Sequence, residues 1–183
     1  PKMDGMPLSL RRKALAVGCS LTLGVAACSG PPARQPMPIR RPIPIEQSAS
    51  DTGISDRAEA VVQLHNQERS KRKLPSLEVS EPLREAAERQ ARDMARRGRM
   101  AHRGSDGTSP MDRIKQAGYD YQRAGENVAY GQSTPEEVTH GWMTSPPHRK
   151  NILGEFSQIG AACATAKDGT FYWCVTFGDP IRR

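Results

Sequence analysis

The sequence predicts an α+β domain in the C-terminal part of an exported chain. Three observations carry this reading. Apolar residues recur at helical spacing in the region after residue 54. The chain ends in two strand-like runs around Asp168-Gly169, a strong hairpin turn. Apolar residues make up 36% of the chain and aromatics 5%, but outside one run they are sparse in the first fifty positions. The core therefore comes from the later residues. Helices first and strands last argue α+β, with layers around a sheet.

The one early apolar run reads as a targeting signal. Arg11-Arg12-Lys13 is its basic start, and residues 14–27 form an apolar stretch too short to span a bilayer comfortably. It ends in Val25-Ala26-Ala27-Cys28, which resembles the bacterial lipobox. Residues 1–27 are thus expected to be a lipoprotein-type signal peptide, with Cys28 carrying lipid after cleavage. The alternative is a plain secretory signal cut near Ala27. Ser29 comes next, and the usual sorting rule then implies the outer membrane in a Gram-negative cell. Residues 28–54 read as a tether: six prolines between Pro31 and Pro44 favour extended polyproline II geometry and cannot build a core. The domain is expected over 55–183, at the cell envelope, lipid-anchored and extracytoplasmic.

Within the domain, Ser55 is placed to cap a helix running to about Lys71, with Ala58, Val61, Val62 and His65 on its buried side. Leu74-Pro75-Ser76-Leu77 breaks that helix. Ser80 caps a second, with Pro82 acceptable in its first turn. Leu83, Ala86, Ala87, Gln90, Ala91, Met94 and Ala95 make its inner stripe, a charged outer face is solvated, and Gly98 ends it. Residues 99–108 form a loop carrying His102. Ser109-Pro110 opens a short helix to Ala117, closed by Gly118. Tyr119 to Ala129 holds Gly125-Glu126-Asn127, where the glycine is free to take a turn closed to other residues. Thr134 and Glu137 form a capping box for a helix with Val138, Trp142 and Met143 inside. Pro146-Pro147 stops it, and His148 begins a turn ending at Leu153. Strands at roughly 156–165 and 170–178 close the chain.

Charge excludes little but is informative. The signal carries four basic residues and one acidic, so its removal takes the net charge from +7 to +4. The charges are mixed along helical faces, so no nucleic-acid partner is expected. Of four cysteines, Cys19 lies in the signal and Cys28 is the lipid site. Cys163 and Cys174 remain, and in an exported domain a disulfide between them is expected. Pairing Lys167 with Thr170 across the hairpin and counting outward sets the two cysteines opposite each other.

Several linked elements then resemble the CAP superfamily (cysteine-rich secretory proteins, antigen 5 and pathogenesis-related 1 proteins) in its short bacterial SCP-like form. In order they are His65-Asn66-x-x-Arg69 with Leu74-Pro75-x-Leu77, Ala91-x-x-Met94-Ala95 before His102, and Gly104-Ser105-Asp106-Gly107. Next come Gly125-Glu126-Asn127-Val128-Ala129, Trp142-x-x-Ser145-Pro146-x-His148-Arg149-x-Asn151-Ile152-Leu153, and Ile159-Gly160. The resemblance covers nearly all of 55–178. It implies a three-layer α-β-α sandwich with a small antiparallel sheet ending in a C-terminal hairpin, and strand pairing near 124–130.

The resemblance also implies a cleft lined by two histidines and two glutamates, which in some members holds a divalent metal. His102, Glu126 and His148 match; the second glutamate does not, because Ser145 stands in its place. Two imidazoles and a carboxylate suffice for a zinc-type site with an open position. They serve equally as a hydrogen-bonded network around a ligand cleft, with Asn127 and Ser145 as further lining. Ser145, His148 and Glu126 also supply nucleophile, base and orienting acid types for a hydrolase. His65 reads as buried and His140 as exposed. The sequence therefore leaves three readings: a non-enzymatic binding module for a lipid, sterol, glycan or protein partner; a metal-dependent or serine-type hydrolase; and an envelope scaffold with a vestigial cleft. A monomer is expected, joined to the membrane through Cys28.

Overall fold

The computed structural model describes residues 45–181, with side chains from Gly53. The expected signal, Cys28 and the tether as far as residue 44 lie outside the described residues. The elements are α1 (Ile45–Ser70), β1 (Glu78–Val79), α2 (Glu81–Arg97), α3 (Pro110–Gln116), β2 (Tyr121–Tyr130), α4 (Pro135–Thr144), α5 (Pro146–Ile152), β3 (Gln158–Thr165) and β4 (Phe171–Pro180). The last ten residues assigned to the tether are thus helical, and Ser55 sits inside α1 instead of capping it. The prolines end at Pro44, and only Gly53 opposes a helix from there on, at a cost of about 1 kcal/mol.

The four strands form one sheet in the order β1-β3-β4-β2. It is mixed, not wholly antiparallel: β1 runs parallel to β3, while β3–β4 and β2–β4 are antiparallel. β1 is two exposed residues with no periodicity to betray it. Side chains alternate across the sheet. Ile159, Ala161, Cys163, Trp173, Val175 and Phe177 point to one face and pack with Val61, Val62, Val138, Trp142 and Ile152 of α1, α4 and α5. Val128, Ala162, Ala164, Tyr172 and Cys174 point to the other, against Ala87, Ala91, Met94 and Ala95 of α2. Leu83, Ala86, Ile114 and Tyr119 extend that second layer through α3. This is the three-layer sandwich.

The stripe read on α2 is the buried set observed, residue for residue. Its approach to the sheet is very close. A Cβ on Gly160 would lie 2.1–2.6 Å from backbone atoms of Leu83 and Arg84. Thr176 Oγ1 donates to the Leu83 carbonyl at 2.8 Å. Ser109 makes a full capping box with Asp112 at the start of α3. Thr134 accepts from Glu137 N–H, but the Glu137 carboxylate accepts from Ser133 N–H, one residue beyond the box geometry.

The expected disulfide is absent. Cys163 and Cys174 are both free and buried. The hairpin pairs Cys163 with Trp173, and Ala162 with Cys174. The reason is the loop. Ala166 N–H donates to Thr170 O, and Gly169 takes φ 86°, so the connection is Lys167-Asp168-Gly169 and not the two-residue turn. One extra loop residue shifts the register by one and sends the two thiols to opposite faces.

Two buried polar side chains complete the first layer. Arg69 is 2% exposed and donates to the carbonyls of Pro75, Ile152, Gly154 and Phe156 at 2.7–3.3 Å. It ties the end of α1 to the segment between α5 and β3. His65 Nδ1–H donates to Val61 O at 2.8 Å, and the ring packs against Trp142 and Phe177. Burial lowers its pKa from 6.5 to about 4. The unfolded chain takes up that proton near pH 6.5, the folded one only near 4. Stability is therefore fully present above about 6.5 and falls as pH drops toward 4, by up to about 3 kcal/mol from this group. His65→Phe should lose that component. Urea unfolding at pH 7 and pH 4.5 checks it, and an equal acid loss in both proteins would assign the slope elsewhere.

Candidate functional site

The candidate residues gather at the outer edge of β2, where the two helical layers meet. Neighbouring residues of a strand point to opposite faces, so Glu126 faces the α2–α3 layer and Asn127 faces α5. Gly125 lies in mid-strand, not in a turn. Space there is tight: a Cβ would come within 3.2–3.4 Å of the Phe156 and Asn151 side chains, which would have to give by a few tenths of an ångström.

On the first face, Glu126 is 7% exposed and every oxygen is engaged. His102 Nδ1 bonds Oε1 at 2.8 Å, and Arg113 Nη2 donates to Oε2 at 2.7 Å. Cys174 Sγ–H donates to Oε2 at 3.5 Å. Arg113, itself 2% exposed, also donates to the carbonyls of His102 (2.9 Å) and Thr108 (3.1 Å). It thereby holds the 99–108 loop against β2. The His102 side chain remains 54% exposed. Its pKa is raised, chiefly by the hydrogen bond to Glu126, against a desolvation that lowers it.

On the other face, Asn127 Nδ2 donates to His148 O at 3.1 Å, and Asn151 Nδ2 donates to Asn127 Oδ1 at 2.8 Å. This network fixes α5. Ser145 caps both the end of α4 and the start of α5. Its hydroxyl is 2.8 Å from His148 Nδ1. His148 is half-buried, and its pKa is lowered by desolvation first and by charge on His102 second. Glu126 and Asn127, adjacent on β2, hold the two segments: the carboxylate bonds the His102 ring, and the amide bonds the His148 carbonyl.

The structure thus forms two pairs: His102 with Glu126, and Ser145 with His148. Glu126 does not orient His148, so Ser145, His148 and Glu126 do not make a triad. The metal implied by the resemblance does not fit these residues either. The carboxylate is neutralised by Arg113, and His102 turns Nδ1 to it directly. Among the described residues no group of three His, Cys, Asp or Glu side chains is placed to hold an ion. Glu137 is spent at the α4 cap, and His140 is exposed. Arg113, Cys174 and Asn151 are site members that sequence reasoning missed. The first is not singled out in the sequence, the second reads as half of a disulfide, and the third carries only its place in the α5 motif.

Glu126→Gln should leave the buried Arg113 uncompensated and cost about 3–5 kcal/mol. It should also bring the His102 pKa down. In the wild type the His102 contribution to stability is fully present below the unfolded value of 6.5 and is lost as pH rises through the raised folded value. Its exposure keeps that contribution small. NMR titration of the imidazole with denaturant unfolding at pH 6 and 8 checks both. An unchanged His102 pKa in Glu126→Gln would break the assignment.

Comparison with known proteins agrees with this architecture. The family model described as the cysteine-rich secretory protein family, CAP, matches residues 62–177. The uncharacterized protein YkwD of Bacillus subtilis is 40% identical over 114 residues, covering 62% of this chain and 44% of its own length. The uncharacterized membrane protein YlbC of the same organism is 32% identical over 101 residues, or 55% of this chain and 29% of its own. The chain therefore spans less than half the length of these curated relatives. Among solved structures, an extracellular SCP-domain protein from Bacillus anthracis superposes with a TM-score of 0.62 at 26% identity, covering 69% of this chain and 41% of that one. An outer surface protein from Borrelia burgdorferi has the same fold, with a TM-score of 0.62, 24% identity and coverage of 68% and 93%.

Proposed function

We propose a function from the premise that this chain belongs to the CAP family, whose model matches it over residues 62–177. It is an extracytoplasmic binding module, anchored by lipid on Cys28 and spaced from the membrane by its proline-rich segment. Its ligand enters the cleft between His102 and His148. The B. anthracis relative is described as extracellular, which supports the placement.

The observation that carries this reading is the state of Glu126. Both its oxygens are spent internally, so the cleft offers no free carboxylate to act as base or metal ligand. What it offers is imidazole: His102 favoured in its charged form, His148 favoured neutral. Such a pair suits a ligand with acceptor oxygens, the phosphate of an envelope lipid or the carboxylates and hydroxyls of an envelope glycan. A sterol or a protein partner would have to present the same groups. No nucleic acid is needed, and a monomer suffices.

NMR of the histidine ring signals tests this, with phosphatidylglycerol micelles and soluble peptidoglycan fragments as probes. One of them should shift both rings saturably, and His102→Ala should abolish the effect. Zn²⁺ should leave the rings in place. Silence toward every acceptor-bearing probe would favour a scaffold with a vestigial cleft.

The Ser145–His148 hydrogen bond supports a second reading, a serine-type hydrolase working as a dyad, with His148 favoured neutral as base. Hydrolysis of p-nitrophenyl acetate would then fall about a hundredfold or more in Ser145→Ala. Indifference to that change removes this reading.

A further inference from the structure

The opposite edge of the sheet carries an unused feature. β3 pairs with β4 along its length, but with β1 only at Gln158 and Ile159. The chain leaves at Ser80 to begin α2, so the rest of β3 has no neighbour on that side among the described residues. Ser80 N–H donates to Ile159 O, and Ala166 N–H donates across the hairpin to Thr170 O. These two bonds set the parity. Even-numbered residues turn their backbone groups toward β4; Ala161, Cys163 and Thr165 turn theirs outward. Among the described residues these outward N–H and C=O groups have no partner.

An open edge normally lies at the surface. This one is recessed over Ala161, Ala162, Cys163 and Ala164, which are only 4–7% exposed, while Thr165 at its end is exposed. α1 and α2 stand on either side and enclose a slot of about 600 Å³. Unpaired backbone groups in such a place are costly, and a strand partner would satisfy them. The slot also restricts what that partner is. A second copy of the chain presents a β3 edge that is equally recessed, so two such edges do not meet. A lone extended segment fits.

The walls specify its side chains, which alternate along a strand. One wall is Ile54, Ala58 and Val62 of α1; the other is Arg84, Glu88 and Arg92 of α2. Arg84 is already paired with Glu81 and Glu88, so the open cation of that wall is Arg92, whose side chain is 76% exposed and held only by a 3.4 Å contact to Glu88. Glu59, at the lip of α1, disfavours an acidic residue on the aliphatic side. We propose that the slot between α1 and α2 binds an extended peptide segment of alternating aliphatic and acidic residues from another protein, as an added strand on Ala161–Thr165. This is strand addition to a sheet edge: main-chain bonds supply affinity, and alternate side chains supply specificity. The site lies at the far edge of the sheet from the histidine cleft and does not depend on it.

The test uses the peptide acetyl-Glu-Val-Glu-Val-Glu-Val-Glu-amide and amide hydrogen exchange read by NMR. Peptide should slow exchange at Ala161, Cys163 and Thr165 about tenfold or more, the effect of a net hydrogen bond. A peptide with proline at the central valine should not. Thr165→Pro removes one outward N–H and no bond to β4, so the fold should persist while affinity drops about tenfold. Should that variant fail to fold, Ala58→Glu places a charge on the aliphatic wall and should weaken binding as much, with circular dichroism unchanged. The proposal is overturned if millimolar peptide slows none of the three amides, or if Thr165→Pro and Ala58→Glu each fold and bind unchanged. It is overturned too if palmitate fills the slot and peptide does not displace it.

Discussion

Glu126 and Arg113 face each other out of water, each less than a tenth exposed. Removing two opposite charges from solvent costs several kcal/mol per ion unless every remaining donor and acceptor is met. Here most of the demand is met by His102, Cys174 and two loop carbonyls, with Arg113 Nε alone left without a partner, and those partners define the local structure. The loop after α2 must close over β2 for its carbonyls to reach Arg113. α3 must sit where it does for Arg113 to reach the strand. One ion pair therefore accounts for the position of His102, although Arg113 never touches its ring. The neighbouring Asn127 does the corresponding work on the other face, where it holds the carbonyl of His148 through neutral hydrogen bonds. The cleft is where these two tethers, made by adjacent residues of one strand, bring separate layers together.

The two long edges of the sheet have opposite characters. The β2 edge is closed by polar side chains and shows imidazole to solvent. The β3 edge is lined by small side chains and leaves backbone polarity without a partner. Both follow from small residues. Alanines on β3 and Gly160 let α2 lie almost on the sheet, and Gly125 lets Asn151 and Phe156 come up against β2. A side chain at Gly160 would push the start of α2 off the sheet, and one at Gly125 would crowd the Asn151 and Phe156 side chains.

Much of this was legible from residue order. The α2 stripe, the Ser109 cap, the burial of His65 and Trp142 and the convergence of strand and loop motifs rest on period, capping and family spacing, which local sequence carries. What was not legible depends on one residue more or less, or on partners far away in the chain. The hairpin register turned on whether its loop had two residues or three. β1 is too short for any period. Arg69 stands only as a motif position and Arg113 is not singled out, because nothing local announces the carbonyls and carboxylate that gather round them; those come from 83 residues away or more for the Arg69 bonds to Ile152, Gly154 and Phe156, and 13 for the Glu126 bond. The role of Glu126 was legible as polar convergence, but not that its charge is already consumed.

The back-to-back thiols of the hairpin carry a consequence for biogenesis. In the finished domain no oxidant can join Cys163 to Cys174, since the sheet itself stands between them. Before the hairpin sets, nothing keeps them apart. A bridge formed on the emerging chain would staple the slipped register, with every inward residue of one strand turned out, and the correct sandwich could not form until it was reduced. In oxidising surroundings success would rest on a race between the glycine loop closing and the thiols being oxidised, and a chain that lost the race would need a reductant or an isomerase to be recovered.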